Sequence, residues 1–365
     1  MSRSPALVIR NLRVRTVSVP LRLPLETSGG TIGMAPLVLV DLDTEEGVTG
    51  CAYLFCYTPL ILRPMASLLV ELGEVIQGAE AAPRSLEAVL QRRFRLLGNK
   101  GLTAMALAGI DMAAWDALAK ASDLSLVRLL GGEPGPVKAY NSCGLGLIGP
   151  DRAAEEAVQL LEPGFRAIKV RLGYPDLRTD LSVVRAVRAA VGDDIVLMAD
   201  YNQMLSVPEA IERIQALADE GLYWIEEPTN AEDYAGHARI REKAGVAIQM
   251  GENWWGTREM AKCVAAGASD LVMPDAMKIG GVSGWQRAAA IAGAAGLPVS
   301  SHLFPELSVH LLAVTPAAHW LEYADWAEPV LETPVRIEDG HAQCPDLPGA
   351  GIVWNEEAVE RYLVQ

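Results

Sequence analysis

Three acidic residues in the middle of the chain are the first candidates for chemistry. Asp200, Glu226 and Glu252 each stand at or just beyond the end of a short β-rich run. If these runs are parallel strands of one barrel, their carboxyl ends share one rim, where barrel enzymes carry their active sites. Carboxylate oxygens without nearby Cys or His suit a hard cation that keeps waters or substrate oxygens as further ligands. The set therefore predicts a Mg²⁺ site, in preference to three unrelated surface acids at helix starts.

Another run brings two cations to the same rim. Lys169 and Arg171 are two residues apart, so their side chains point to the same side of a strand. On the interior side of a barrel they could hold a substrate carboxylate, or one could act as a base after losing its proton. A solvated cationic face is the usual explanation of an isolated Lys-x-Arg pair, but the alignment with three acids favours a functional site.

The later runs are followed by a potential acid-base pair. Asp275 and His302 follow two successive runs, and an Asp beside a His fixes the imidazole tautomer and raises its basicity. We predict that His302 is catalytic and that the other histidines are structural. Glu322 follows the last run, where a carboxyl group can share a proton with a developing charge. Lys278, close to Asp275, is predicted to contact the substrate.

The runs that carry these residues recur regularly after residue 136. Eight are found, and each is followed by a helix-compatible stretch rich in Ala, Leu, Arg and Glu. This alternation indicates parallel strands with helical crossovers, and eight strands indicate an α/β protein with a closed (β/α)8 barrel of the TIM type. The predicted strands are 137–140, 167–171, 195–199, 223–225, 247–250, 271–273, 298–300 and 319–321.

A doubly wound sheet is the alternative architecture. Gly144, Gly146 and Gly149 have the spacing of a dinucleotide-binding GxGxxG loop. Pro150 follows directly, however, and no acidic partner for a ribose stands at the expected distance. The barrel is therefore preferred.

The sequence before the barrel has a different pattern. β-branched runs over 7–43 surround a Gly-rich stretch, 26–33, that we predict to be a loop, and a helical pattern covers 66–120. The Gly- and Pro-rich segment 131–136 is the best linker candidate. We expect an α+β capping domain built from the N-terminal region and the C-terminal tail, which packs back on it. The predicted units are the capping domain, 1–133, the barrel, 134–324, and the C-terminal segment, 325–365.

The amino-acid composition limits the classes of partner that the protein can bind. The chain has 365 residues, half of them apolar, and a net charge of -15, which disfavours nucleic acid and anionic membranes. Five cysteines without a CxxC pair favour reduced, buried thiols. The N-terminal residues lack the apolar region of a secretory signal, and no uninterrupted apolar stretch is long enough to span a bilayer. We expect a cytoplasmic protein.

Taken together, these residues resemble the enolase superfamily, and within it the mandelate racemase subgroup. The resemblance runs nearly the whole chain. The segments that carry it are APLVLVDL at 35–42, GIDMAAWDAL at 109–118, WIEEPT at 224–229, QMGENW at 249–254, MPDAMKIGGV at 273–282 and SSHLF at 300–304.

The resemblance implies a role for each candidate. It implies a reaction through an enediolate held by Mg²⁺ on a small carboxylate substrate, with Asp200, Glu226 and Glu252 as metal ligands. Lys169 would neutralise the substrate carboxylate, and Glu322 would be the electrophilic acid. His302, together with Asp275, would be the base, and Ser142 and Asn202 would make supporting contacts. The family also implies a homo-oligomer, with an octamer as its habit.

The resemblance extends to an apolar cavity for an aryl ring. The residues in the corresponding positions are Leu25, Ile32, Phe55, Tyr57, Leu96 and Leu303. Gly29 and Ala324 replace larger apolar residues, which implies a wider cavity.

Arg171 departs from the family pattern. In the racemase this position is a lysine that acts as the base on the face opposite His. An arginine, whose ordinary pKa is about 12.5 or above, would need about 7 kcal/mol to be neutral at pH 7. Three functions therefore remain open: a 2-hydroxy-acid racemase, which the overall similarity places first, a dehydratase of 2,3-dihydroxy acids with His302 as the single acid and base, and a catalytically weak carboxylate-binding relative.

Overall fold

The computed structural model describes residues 6–27 and 30–364. Its first part contains a three-stranded antiparallel sheet in which β2 is central. Apolar side chains of β2 and β3 are buried almost without interruption, because helices cover the sheet. The strands are β1, Ile9–Thr27, β2, Gly30–Thr44, and β3, Thr49–Phe55.

The prediction of a loop over 26–33 was wrong for the residues described there. Leu25 pairs with Ile32 and Thr27 pairs with Gly30, so the two strands continue as a hairpin almost to its end. The register shifts between Pro20 and Leu25, which lets the hairpin end change direction. Gly29 lies outside the described residues.

Helices of the first part pack against this sheet. Gly50 of β3 lies so close to the third helix that a Cβ there would overlap the Ala113 carbonyl. This helix is long and apolar enough to cross a membrane, but 78% of its most apolar window is buried inside the protein. It is a core helix. The helical segments are the 3-10 turn Pro59–Ile61, α1, Leu62–Ile76, α2, Pro83–Arg93, α3, Leu102–Ala121, and α4, Leu126–Leu129.

The second part is the predicted barrel. Its parallel strands follow one another in chain order, and the last pairs with the first to close the ring. The strands are β4, Pro136–Asn141, β5, Ala167–Arg171, β6, Val196–Asp200, β7, Leu222–Glu226, β8, Ala247–Met250, β9, Leu271–Val272, and β10, Leu321–Tyr323.

Two predicted strands differ from the structure by more than one residue at an end. The seventh, 298–300, is reduced to bridges from Val299 to Val272 and Ala318, although backbone hydrogen bonds to the neighbouring segments continue to Ser301. The eighth begins at Leu321 rather than at His319.

Helices on the outside connect the strands. Their starts carry expected signals, such as the reciprocal capping box between Ser206 and Glu209. The helices are α5, Pro150–Leu161, α6, Leu177–Val191, α7, Val207–Leu217, α8, Tyr234–Lys243, α9, Thr257–Ala266, α10, Gly281–Ala295, and α11, Pro305–Ala313.

The C-terminal segment contacts both parts. It contains a 3-10 turn, Glu328–Val330, the strands β11, Ile337–Glu338, and β12, His341–Gln343, and the helix α12, Glu356–Tyr362. β12 pairs with β4 of the barrel. Further on, Trp354 donates to Asp41 of β2 and Val364 to Thr16 of β1. Boundaries at 133 and 324 stay a prediction.

Candidate active site

The barrel rim gathers the polar residues that follow its strands. Asp200 and Glu226 are the last residues of β6 and β7, and they face each other in the parallel register. Lys169 and Arg171 come from β5, in the same ring. These side chains are buried, so their charges act on one another with little screening by water.

The three predicted metal ligands form one cluster. Oxygen atoms of Asp200, Glu226 and Glu252 all lie within 4.8 Å of one another. Burial raises the pKa of Asp200 and Glu226; proximity of Asp200 and Glu252 raises that of Glu226 further, although Lys169 opposes both shifts. Such a group is unstable without a cation. Three carboxylates with room for further oxygen ligands fit Mg²⁺.

Lys169 lies at the centre of the acids. Its Nζ is 2.9 Å from Glu226, 2.8 Å from Glu322 and 3.4 Å from Asp200. The ring of Tyr140 lies below it, with the centroid 5.7 Å from Nζ. Burial alone would lower the pKa of Lys169, but Glu226 and Glu322 hold it well above its usual range. The side chain is therefore a fixed positive charge.

His302 and Asp275 form the predicted dyad. Nδ1 of His302 is 2.6 Å from Asp275, and Nε2 is 3.2 Å from Glu252. Burial lowers the pKa of His302, but Glu252, Glu322 and Asp275 outweigh it and raise the pKa to about 9. A divalent cation on Glu252 opposes this rise, because it compensates the charge of that carboxylate.

Glu322 is held between three groups. Besides Lys169, it accepts a hydrogen bond from the backbone N–H of Leu303 and lies 3.8 Å from Nε2 of His302. Burial would raise its pKa, but Lys169 and His302 dominate and the pKa is lowered. In this arrangement Glu322 is a carboxylate rather than a proton donor, so its role as an electrophilic acid stays a prediction.

Arg171 is bonded to the protein rather than free. Nη1 donates to the carbonyls of Ser142 and Gly144, at 2.8 Å each, and Nη2 donates to the Ser142 hydroxyl at 2.9 Å. Ser142 is itself buried beneath the rim. Its hydroxyl contacts Arg171 and helps to lower the pKa of Glu322, and Ser142 is not among the residues that line the cavity.

A cavity of about 610 Å³ opens above these groups. One wall is polar and includes Asn202, Lys278 and His302. The other is apolar and comes from both parts of the molecule. Leu96 does not belong to it, because the side chain is fully exposed. The predicted pocket residues that do line it are Leu25, Ile32, Phe55, Tyr57 and Leu303.

Sequence reasoning missed several residues at this cavity. Met105 of α3, Trp255 and Trp326 extend the apolar wall. Asn253 donates to Glu252 and Glu227 and accepts from Lys278 at 2.7 Å. The position of Asn253 next to Glu252 in the sequence could have identified it as a site residue. No periodicity distinguishes the apolar residues from ordinary core positions.

Comparisons with known proteins identify the family of this chain. Residues 9–131 match the family model for the N-terminal domain of mandelate racemase and muconate lactonizing enzyme. Residues 152–358 match the enolase C-terminal domain-like model. The chain belongs to the enolase superfamily, in its mandelate racemase subgroup.

Characterised superfamily members resemble the chain over most of its length. It is 32% identical to 3,6-anhydro-alpha-L-galactonate cycloisomerase of Streptomyces coelicolor, covering 96% of this chain and 99% of that protein. It is 34% identical to L-talarate/galactarate dehydratase of Salmonella typhimurium, covering 72% and 66%. A crystal structure of an enolase from Bradyrhizobium with magnesium and mandelic acid is 45% identical, with a TM-score of 0.95 and 99% of each chain covered. The protein is thus a superfamily enzyme with Mg²⁺ as its cofactor.

Proposed function

We propose that the enzyme removes the α-proton of a 2-hydroxy carboxylate, with His302 as the only base. The observation that carries this proposal is the asymmetry between the two sides of the site. His302 is oriented by Asp275 at 2.6 Å, whereas both terminal nitrogens of Arg171 donate to Ser142 and Gly144, and its buried Nε has no partner among the described residues. Of these two residues, only His302 can take up a proton near neutral pH.

The other rim residues have complementary roles in this proposal. Bound Mg²⁺, held by Asp200, Glu226 and Glu252, supplies positive charge to the substrate carboxylate. Lys169, as a fixed cation, stabilises the enediolate left after proton removal. Asp275 keeps Nδ1 of His302 protonated, so that Nε2 takes the proton. Asn202 donates to Asp200 through both its backbone N–H and its side chain, which orients that carboxylate.

Dehydration is the net reaction that Arg171 favours. With no acid on the opposite face, His302 returns its proton to a departing β-hydroxyl group. The C–H bond at the α-carbon and the C–O bond at the β-carbon break, water leaves, and the resulting enol tautomerises to a 2-oxo acid. A 2,3-dihydroxy acid is the substrate class that this requires.

Racemisation is the second candidate, and the apolar wall favours it. Leu25, Ile32, Phe55 and Leu303 suit an aryl or alkyl group better than a polyhydroxylated chain. Inversion would require a proton donor on the side of Arg171. In either case we propose a homo-oligomer, on the family resemblance, and a cytoplasmic location, on the cysteines, which are free and buried.

Proton NMR in D₂O with Mg²⁺ tests the proposal. The panel contains both enantiomers of mandelate, galactarate, galactonate and 3-phenylglycerate, and the α-proton signal is followed with time. We expect exchange or loss of the α-proton from one configuration only, with a 2-oxo acid formed when a β-hydroxyl is present. Inversion of both mandelate enantiomers would instead establish the racemase. Absence of any exchange, with Mg²⁺ and acids still bound, would favour the carboxylate-binding relative.

A further inference from the structure

Among the described residues, the side-chain hydrogen bonds of Arg171 all go to one loop. This β4–α5 loop, residues 142–149, is buried over its first five residues. A buried loop must find partners for its backbone groups, because water cannot reach them. The side chain of Arg171 donates to the carbonyls of Ser142 and Gly144, and its backbone N–H donates to the Leu145 carbonyl at 2.9 Å.

The loop conformation depends on such external support. Gly144 and Leu145 have positive φ angles, of 55° and 46°, and Leu145, which has a side chain, is strained in this region. Its N–H is held by a short hydrogen bond to Glu156 of α5. A lysine at position 171 could not reproduce the planar fork that reaches two carbonyls and a hydroxyl.

The far end of the same loop carries the hairpin end that covers the cavity. The lid hairpin consists of residues 23–27 and 30–33. Leu147 donates its N–H to the Glu26 carbonyl at 2.8 Å, and a Cβ on Gly146 would overlap the Glu26 backbone. Leu25 and Ile32 of the lid hairpin line the cavity. The β4–α5 loop therefore connects Arg171 to the lid hairpin.

We propose that Arg171 is a positioning residue that holds the lid hairpin in place through the β4–α5 loop. The position that other members of the subgroup use for a base serves here as an anchor. Arg171 fixes the carbonyls at 142 and 144, the loop keeps Gly146 and Leu147 against Glu26, and Leu25 and Ile32 then stand at a defined distance from the reacting carbon.

Hydrogen exchange of the full-length, Mg²⁺-loaded protein tests this chain of contacts without a known substrate. Peptides covering 20–34 and 142–149 are followed by mass spectrometry in Arg171→Met. We expect exchange to increase by about tenfold or more in both, because lost hydrogen bonds of about 1 to 1.5 kcal/mol lower the opening free energy. Arg171→Lys should lie between the wild type and Arg171→Met, as expected for partial rescue.

Two further variants separate coupling from general loosening. Arg152→Met removes only the exposed ion pair with Glu26, at 3.6 Å, and should leave both peptides within about twofold of the wild type. Gly146→Ala leaves the bonds of Arg171 in place and should increase exchange over 20–34 alone. An increase confined to 142–149 in Arg171→Met would overturn the proposal, as would no increase at all.

A kinetic measurement separates this inference from the proposed function. With any acid that exchanges its α-proton, Arg171→Met should raise KM more than it lowers kcat, because the lid contacts the non-reacting part of the substrate. A fall in kcat at constant KM would contradict positioning through the lid. Failure of every acid to exchange would overturn the proposed function, while the exchange rates of the lid peptides would still decide the role of Arg171.

Discussion

The barrel rim and helix α3 both contain buried carboxylates, and the partners of these carboxylates differ. At the rim, Glu226 and Glu252 face other carboxylates within 4.8 Å and receive hydrogen bonds from side chains. On α3, Asp116 accepts from the backbone N–H groups of Cys51 and Ala350 and pairs with Lys120. The first group concentrates negative charge, whereas the second disperses it.

This difference distinguishes a functional acid from a structural one. Asp116 connects three segments of the chain, because its peptide partners lie in β3 and in the C-terminal segment. Asp111, one and a half turns earlier, accepts from the N–H of Ser283 in the first turn of α10 at 3.0 Å and so caps a barrel helix from the other part of the molecule. By burial alone, Asp111 and Asp116 could not be distinguished from the acids of the rim. They differ in their partners, which are backbone N–H groups on α3 and other carboxylates at the rim.

The largest effect that separates the two regions should come from the base at the rim. We expect His302→Asn to lower the rate of α-proton exchange by about 10³-fold or more, because general base catalysis contributes up to about 10⁴-fold. The NMR assay described above measures it. His341→Asn, at the bottom of the barrel, is the control and should exchange at the wild-type rate. Retention of more than a tenth of the activity in His302→Asn would show that another group is the base.

Neutralising a rim acid should damage metal binding rather than folding. We expect Glu226→Gln to weaken Mg²⁺ binding by more than about 100-fold, because a lost outer-shell partner alone costs about 10- to 100-fold. Calorimetric titration with Mg²⁺ measures this. In EDTA, the melting temperature should stay close to that of the wild type, because the lost repulsion from Asp200 and Glu252 offsets the lost ion pair with Lys169, which keeps Glu322 as a partner. A lower melting temperature together with unchanged Mg²⁺ affinity would place Glu226 with the acids of α3.

The rim was more predictable from the sequence than the partners of α3. Residues at the ends of successive strands must converge once the barrel closes, so Asp200, Glu226 and Glu322 could be placed without coordinates. Asp111 and Asp116 stand in a helix whose sequence is typical of an apolar core, and the backbone N–H groups that they accept from lie 65 to 234 residues away. No local pattern encodes such contacts.

The hairpin end illustrates a second limit. Its Gly-rich composition predicted a loop, but pairing of Leu25 with Ile32 extends the strands. Docking on the β4–α5 loop supports this pairing, and propensity does not include tertiary contacts. The bonding of Arg171 was equally hidden, since the sequence shows the residue type and not the carbonyls that it meets.

An acid of α3 should show the opposite response to neutralisation. We expect Asp116→Asn to lower the free energy of unfolding by about 2 to 3 kcal/mol, because an amide group opposes one of the two N–H donors and leaves Lys120 without its carboxylate partner. Urea unfolding measures the change, with the exposed Asp193→Asn as the matched control. Mg²⁺ affinity should equal that of the wild type. Loss of Mg²⁺ binding without loss of stability would reverse the assignment of the two regions.

Asp111 should give the smallest effect, as a dependence of stability on pH. Burial raises its pKa to about 7, with Glu87 of α2 adding to the rise, while bonding to Ser283 and the charge of Arg287 of α10 oppose it. Because the unfolded chain ionises near its ordinary value of about 4, only the folded protein binds this proton between about pH 4 and pH 7. The contribution of Asp111 to stability is therefore greatest at low pH and declines as the pH rises to about 7.

Asp111→Asn removes this dependence, because the amide does not titrate. Measured by urea unfolding at pH 5, 6, 7 and 8, the variant should gain about 2 kcal/mol relative to the wild type across the series; a shift of about three units sets an upper limit of about 4 kcal/mol. The change with pH distinguishes two states of Asp111. If Asp111 were ionised and stabilised by the first turn of α10, as an ordinary capping carboxylate would be, it would be charged in both the folded and the unfolded protein above pH 5, and the difference between the variant and the wild type would stay constant from pH 5 to pH 8. That result would mean that the N–H of Ser283 and the charge of Arg287 outweigh the effect of burial on the pKa of Asp111. The acids of α3 would then be charged contacts between the two parts of the molecule.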